Sequence, residues 1–394
     1  MATVAKPGER ILVLDGIRGL AIVMVLVWHY FSEPLSKSAS PFLRSLSHVT
    51  LQSWSGVDLF FVLSGFLIGG ILIDAKGSEH YFRTFYIRRA FRILPIYVVA
   101  CLAYFPLSRW ALSGFHGVMK PAMPWYVYAT FTQNFWLASG RWHVWLSPTW
   151  SLAIEEQFYL TLPLLILLVP AKRLWEVATA GVIAVLAFRS IAYLQFQPAW
   201  SNVAFYVLSP FRADGLLLGV LAAILVRNPA RLTFIRERRL ALMLAGAALG
   251  MILLWFTWKG WGVLSAAMST AGYSVLAGFY LVLLLLTITS TGRLKQIFSW
   301  GVLRWLGTIA YGLYLIHVPA LDLAFRLFED RAPSLTEPFD LVPFAIALAG
   351  SLLLAHLSWT LFESRLVKYG HRFVYGTESK HPDLATCNAR PQDL

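Results

Sequence analysis

The chain has 394 residues, of which 58% are hydrophobic, 15% aromatic and only 13% charged. Soluble domains carry about 25% charged residues, so this composition excludes an ordinary soluble domain and argues for a protein built into a membrane. The net charge of +13 invites a nucleic-acid reading, but bilayer topology accounts for it better. With the N-terminus placed in the cytoplasm, most of the 33 lysines and arginines fall in the inner loops, as the positive-inside rule requires. The two cysteines, Cys101 and Cys387, give neither a disulfide framework nor a zinc spacing.

Ten apolar segments of bilayer-spanning length are predicted, over 11–31, 54–74, 90–108, 150–169, 174–195, 205–226, 240–258, 264–289, 303–327 and 341–363. They imply an all-α polytopic membrane bundle of about ten transmembrane helices with both termini cytoplasmic. Residues 1–370 form one transmembrane domain, and 371–394 are expected to be a disordered, polar cytoplasmic tail. No internal repeat is visible.

The first span, "LDGIRGLAIVMVLVWHYF", carries three groups that a plain anchor does not need. Arg18 and His29 are eleven residues apart, so they share a helix face and lie about 16 Å apart along the axis. Asp15 precedes Arg18 by three residues and can neutralise it. These charges also interrupt the apolar core that a cleaved signal peptide would need, so no cleavage is expected. The bland reading makes Asp15–Arg18 a structural ion pair and His29 an interfacial imidazole.

In the second span, Asp58 lies near the outer end, and Gly65 within "GFLIGG" reads as a small-residue packing seam. Ser64 lacks the GxSxG context of a nucleophile. "FYIRRAFRILPIY" opens the third span and sets Arg89 and Arg92 on one face at an expected helix N-terminus. Two guanidiniums there suit an anion, phosphate above all; anchoring on lipid phosphates is the competing account. The loop 109–149 and the start of the next span concentrate Trp110, Trp125, Trp136, Trp142, Trp145 and Trp150, as an aromatic belt or as platforms for sugar rings.

The fourth span begins "SPTWSLAIEEQFYL". Counted from the helix ends, Glu155 and Glu156 come level with His29, and one of them is expected to orient that imidazole for general-base work. Arg212 and Asp214 reach a similar depth in the sixth span, but their i,i+2 spacing does not favour a mutual pair. His317 in the ninth span reads first as a hydrogen-bonded core histidine and second as a supporting site residue.

Together these motifs resemble the acyltransferase-3 family of integral-membrane O-acyltransferases. The carriers are "LDGIRGLAIVMVLVWH", Arg89-x-x-Arg92, "FFVLSGFLI", "WSLAIEEQFYL", "FRADGLLLG" and "YGLYLIHVP", in the family's order and over about residues 11–365. The resemblance implies that Arg18 and His29 are an essential pair and that Arg89 and Arg92 serve the acyl-donor side. It implies acyl-CoA, most often acetyl-CoA, as a cytoplasmic co-substrate, with no permanently bound cofactor and no metal. The acceptor would be a hydroxyl of a sugar, glycan or lipid-linked glycan at the outer face of the bacterial plasma membrane. The C-terminal extracytoplasmic domain of some members is not expected here. The partners are then acyl-CoA, the acceptor and membrane lipid, with no nucleic acid.

His29 is the expected general base, with Glu155 or Glu156 beside it. Arg18, Arg89 and Arg92 hold the donor, and Asp15, Asp58, Arg212, Asp214 and His317 support the site. An acyl-histidine intermediate is the variant mechanism. The rival readings are acyl transfer to a small secondary metabolite such as a macrolide sugar, and a polytopic transporter of a small anion or glycan.

Overall fold

The computed structural model describes residues 12–38, 40–113, 123–140, 145–196, 201–329 and 331–376. Those residues form an all-helical bundle with no β-strand. α1 (Leu12–Val27) passes through a π-helical turn (Trp28–Ser32) into α2 (Glu33–Ser36), and α3 (Pro41–Val49) leads back to α4 (Gly56–Asp74). α5 (Tyr81–Ser113) is followed by the short α6 (Trp125–Ala129) and α7 (Gln133–Ala138), then by α8 (Trp150–Leu168) and α9 (Leu174–Phe196). α10 (Asn202–Val207), α11 (Ala213–Arg227), α12 (Pro229–Glu237) and α13 (Arg239–Trp258) come next. A second π turn (Met268–Gly272) opens α14 (Tyr273–Thr289), and α15 (Arg293–Phe298) precedes α16 (Gly301–Glu329). α17 (Leu341–Ser358) runs through a third π turn (Trp359–Glu363) into α18 (Ser364–Gly370).

Among the described residues, nine helical segments are long and apolar enough to cross a bilayer, or ten if α11 and α12, bent by 101°, count as one. The expected span at 205–226 is not a single helix. α10 stops at Val207, a 3-10 turn covers Ser209–Phe211, and α11 restarts at Ala213. Pro210 has no amide hydrogen to continue the ladder, and Leu208, two residues before it, is extended (ψ 135°) and ends α10. The third span also begins earlier than its hydropathy suggests. α5 starts at Tyr81, so Arg89 and Arg92 lie two to three turns inside it and receive nothing from a helix N-terminus. The polar "YFRTFYIRR" turn is helical because it packs: residues 371–376 dock along it instead of trailing off as part of a tail. Thr84 Oγ1 donates to Val374 O (2.9 Å), Arg88 Nε to Phe373 O (2.8 Å) and His80 N to Tyr375 O (3.0 Å). The rest of the expected tail, 377–394 with Cys387, lies outside the described residues.

Two glycine seams set the packing. α4 and α11 meet where Gly65 faces the Leu216 carbonyl and Gly219 faces the Val62 carbonyl. α1 and α16 meet where Gly19 faces Leu303 and Gly307 faces the Asp15 carbonyl. A β-carbon at any of these four positions would overlap backbone, so only glycine permits the approach. Without a hydrophobic force between helices in lipid, such close contact supplies the association energy. α13 is peripheral and shows Leu240, Leu244 and Leu254 on its outer face.

Gly219→Val should therefore force α4 and α11 apart and cost at least about 1–3 kcal/mol, the usual penalty of overpacking. Gly350→Ala, where nothing lies within 4 Å of the added carbon, should not destabilise. Thermal unfolding of the two variants in detergent is the check; equal midpoints would mean that the seam does not govern packing.

Candidate active site

A cavity of about 210 Å³ opens between α1, α4, α5, α8 and α16. Its charged lining is Arg18, Arg89, Arg92 and Glu155, with Ser64, Ser151, Tyr159, Tyr311 and Tyr314 completing the polar surface. The arginine triad expected from sequence is thus assembled in one place. Arg18 Nη1 donates to Asp15 Oδ1 at 3.0 Å. Arg92 stacks over Trp359 at 5.5 Å. Neither Arg89 nor Arg92 makes an ion pair or hydrogen bond among the described residues. The acids nearby are otherwise engaged. Glu155 accepts from Tyr159 Oη (2.7 Å) and Ser64 Oγ (3.2 Å), and Glu363 accepts from Ser358 (2.7 Å). Outside the spans, His371 sits beside this group, and burial with Arg88, Arg89 and Arg92 pushes its imidazole below the usual value. Chemically the cavity is an anion receptor: unpaired guanidiniums present planar, multidentate donors to phosphate or carboxylate.

Ser64 and Tyr159 are not among the site residues expected from sequence, yet both line the cavity and touch each other and Glu155. Tyr159 lies four residues after Glu155, a helical spacing that is signal enough to flag it.

His29 occupies the first π turn. Its ring is half-buried and packs against His317, with centroids 5.1 Å apart. His317 is wholly buried. Its Nδ1 faces the carbonyls of Tyr314 (2.8 Å) and Leu313 (3.2 Å), while Nε2 has no hydrogen-bond partner among the described residues. The Tyr314 ring lies 5.8 Å from that of His317, and Tyr314 Oη donates to Pro148 O at 2.8 Å. Tyr314 lines the cavity, so the rings of Tyr314, His317 and His29 run in contact from the cavity to the other end of α1.

The two glutamates expected beside His29 are elsewhere. Glu155 is in the cavity with the arginines, and Glu156 has Glu155 and Arg89 as its charged neighbours. Depth counted from helix ends fails because the ends are not level: the helix of α1 continues through its π turn to Ser36. The carboxylate at His29 is Glu33, whose Oε2 lies 3.4 Å from Nδ1. Its i,i+4 spacing is legible in the sequence, but it falls just past the expected end of the span.

Asp58, Arg212 and Asp214 form a second, separate charge cluster. Arg212 Nη2 donates to Asp58 Oδ1 at 2.6 Å, and Arg189 Nη1 to Asp214 Oδ2 at 2.9 Å, all four side chains being buried. Arg212 and Asp214 do not pair with each other, as their spacing implies. Arg189 is absent from the expected site, although a lone arginine inside the fifth span is signal enough. It also donates to Phe211 O (2.5 Å) and Thr270 O (2.7 Å), closing the broken α10–α11 segment. Arg212 lies 4.0 Å from the Tyr273 ring centre. These ion pairs tie α4, α9, α11 and α14 together, although Asp58 Oδ2 and Arg212 Nη1 have no hydrogen-bond partner among the described residues.

Of the six tryptophans, Trp145 is buried and donates to Asp322 at 2.6 Å, and Trp150 packs under Tyr206 at 4.5 Å. Trp125 is exposed on α6 and Trp136 is half-buried on α7. The side chain of Trp110 and all of Trp142 lie outside the described residues. No group of three or more His, Cys, Asp or Glu able to hold a metal occurs among the described residues.

The fold and site define a polytopic membrane protein with an arginine-lined anion receptor inside the bundle and a histidine pair beyond it. The sequence model of a family described as an acyltransferase domain matches residues 11–362, nearly the whole chain, which therefore belongs to the acyltransferase-3 family of membrane O-acyltransferases. The chain is similar to the peptidoglycan O-acetyltransferase OatA of Listeria monocytogenes, with 27% identity over 91% of this chain and 56% of the relative. It is also similar to the putative peptidoglycan O-acetyltransferase YrhL of Bacillus subtilis (26%, 91% and 55%) and to the O-acetyltransferase OatA of Staphylococcus aureus (23%, 91% and 57%). The chain thus spans little more than half the length of these curated relatives. No solved structure matches it.

Asp58→Asn should leave the buried Arg212 uncompensated and cost about 3–5 kcal/mol, whereas Asp58→Leu with Arg212→Met should recover much of the loss. Thermal unfolding in detergent decides; an unchanged midpoint for Asp58→Asn would show that the pair is not a structural support.

Proposed function

We propose that this protein transfers an acyl group, acetyl foremost, from cytoplasmic acyl-CoA to a hydroxyl of a cell-wall glycan at the outer face of the bacterial plasma membrane. The observation that carries this reading is the cavity in which Arg18, Arg89 and Arg92 converge, joined through Tyr314 and His317 to the half-buried His29. An acyl-CoA is a polyanion with an extended arm, and unpaired guanidiniums in a cavity match its phosphates. The excess of basic loops supports placing the arginine end in the cytoplasm. Similarity to a peptidoglycan O-acetyltransferase and a putative one supports a glycan acceptor.

In the reaction the acceptor oxygen attacks the thioester carbonyl while His29 takes its proton. The C–O bond forms, the C–S bond breaks, and coenzyme A leaves as the thiolate. The proton then passes from the imidazolium to the thiolate or to solvent. A base poised near neutrality is what such a hydroxyl needs.

His29→Gln should abolish transfer of radiolabel from acetyl-CoA to glycan while leaving acetyl-CoA binding intact. Arg89→Gln and Arg92→Gln should each weaken binding by about 1.5–3 kcal/mol, the worth of charge-assisted hydrogen bonds. Calorimetric titration of the purified protein with acetyl-CoA, beside the transfer assay, tests both. Wild-type affinity after loss of both arginines would dismiss the cavity as donor site. Label accumulating inside vesicles with no new ester would favour transport instead.

A further inference from the structure

The π turn that carries His29 also delivers a carboxylate to it. In this turn the amide of Glu33 closes on the Trp28 carbonyl, and the helix continues into α2 with Glu33 four residues beyond His29. Glu33 Oε2 lies 3.4 Å from His29 Nδ1, and Glu33 Oε1 accepts from Lys37 Nζ at 2.8 Å. Lys37, Glu33 and His29 therefore form a line along one helix face, from solvent inward. On the other side of the imidazole lies His317, whose Nδ1 is occupied by two backbone carbonyls. It brings no negative charge to its neighbour. Glu155 lines the arginine cavity, and Glu156 has Glu155 and Arg89 as its charged neighbours. Glu33 is thus the carboxylate within ion-pair reach of His29 among the described residues.

We infer that Glu33 is a positioning residue for His29. It accepts from Nδ1–H and so fixes the tautomer that leaves Nε2 bare to take the acceptor's proton. It also compensates the imidazolium that this step creates. A carboxylate behind a catalytic imidazole does both in serine hydrolases, and such contacts are often long before substrate binds. Lys37 in turn holds the carboxylate rotamer from the solvent side, which matters because the Glu33 side chain is 40% exposed. The inference rests on the proposed role of His29 as base.

The test uses the full-length protein, radiolabelled acetyl-CoA and peptidoglycan fragments as acceptor. Glu33→Gln should lower kcat about 10- to 100-fold, the range for losing the partner that orients a metal-bound histidine, with KM for acetyl-CoA unchanged. Glu33→Asp should recover part of the loss. Glu33→Ala should be accelerated saturably by added formate, which enters the vacated, solvent-facing place, while His29→Gln should not respond. The formate comparison is made within one preparation, so a change in folding cannot imitate it. Wild-type kcat in Glu33→Gln overturns the inference, and so does a slow Glu33→Ala that formate leaves unchanged. If His29→Gln is inactive while Glu33→Gln is normal, Glu33 alone loses its role. If His29→Gln stays active, the base itself is misassigned.

Discussion

A guanidinium taken out of water without a partner costs several kcal/mol, and the placement of arginine in this bundle obeys that constraint. Arg189 and Arg212 are fully buried, and each has a carboxylate within 3 Å together with aromatic or carbonyl neighbours. Arg18 has Asp15 one turn away. Arg89 and Arg92 have no such partner among the described residues, and both face the cavity. The same cost therefore sorts the charges into two kinds. Where the protein supplies the counter-charge, the pair is a strut; where it leaves a hollow, the counter-charge comes, on the proposed reading, from an anionic ligand.

The backbone irregularities fall at the same places. All three π turns among the described residues adjoin a charged group. The first carries His29, the second offers the Thr270 carbonyl to Arg189, and the third sets Trp359 under Arg92 and Glu363 near it. A π turn inserts a residue and rotates the helix beyond it, and such turns are frequent at functional sites. The break at Leu208–Arg212 works similarly: the Phe211 carbonyl freed by the kink is taken by Arg189. Regular helix and glycine seams supply the scaffold, and departures from regularity place the chemistry.

The features legible in the sequence divide along this line. Periodicity and hydropathy hold wherever a helix is regular, so Arg89 and Arg92 share the cavity-facing side of α5 and the Gly65 seam stands in the structure. They fail where tertiary contacts set an element's length. The start of α5 is polar enough to read as loop, yet docking of 371–376 makes it helix, which moves the arginines away from the supposed dipole. Depth is a property of the assembled bundle rather than of one span. Counting residues from helix ends consequently sets Glu155 beside His29 when it belongs with Arg18 and Arg89. Glu33 escapes for the converse reason, because a span of ordinary length ends before it. Arg189 escapes because its carboxylate is twenty-five residues away, beyond any local pattern.

The size of the cavity bears on how the proposed reaction is arranged. At about 210 Å³ it is smaller than the roughly 300–1,000 Å³ of sites that enclose a drug-sized ligand. On the proposed reading, such a volume takes part of an acyl-CoA rather than the whole. On that reading the nucleotide and its phosphates stay with Arg89 and Arg92, and the pantetheine arm enters past Ile68, Leu67 and Phe60, which line the same cavity. Arg18 and His29 are about 16 Å apart along α1. A thioester delivered by such an arm meets the imidazole only after passing Tyr314. That ring is held by Pro148 and Ser151 at the start of α8, so on the proposed reading the contacts that position Tyr314 would also limit how far the acyl group reaches.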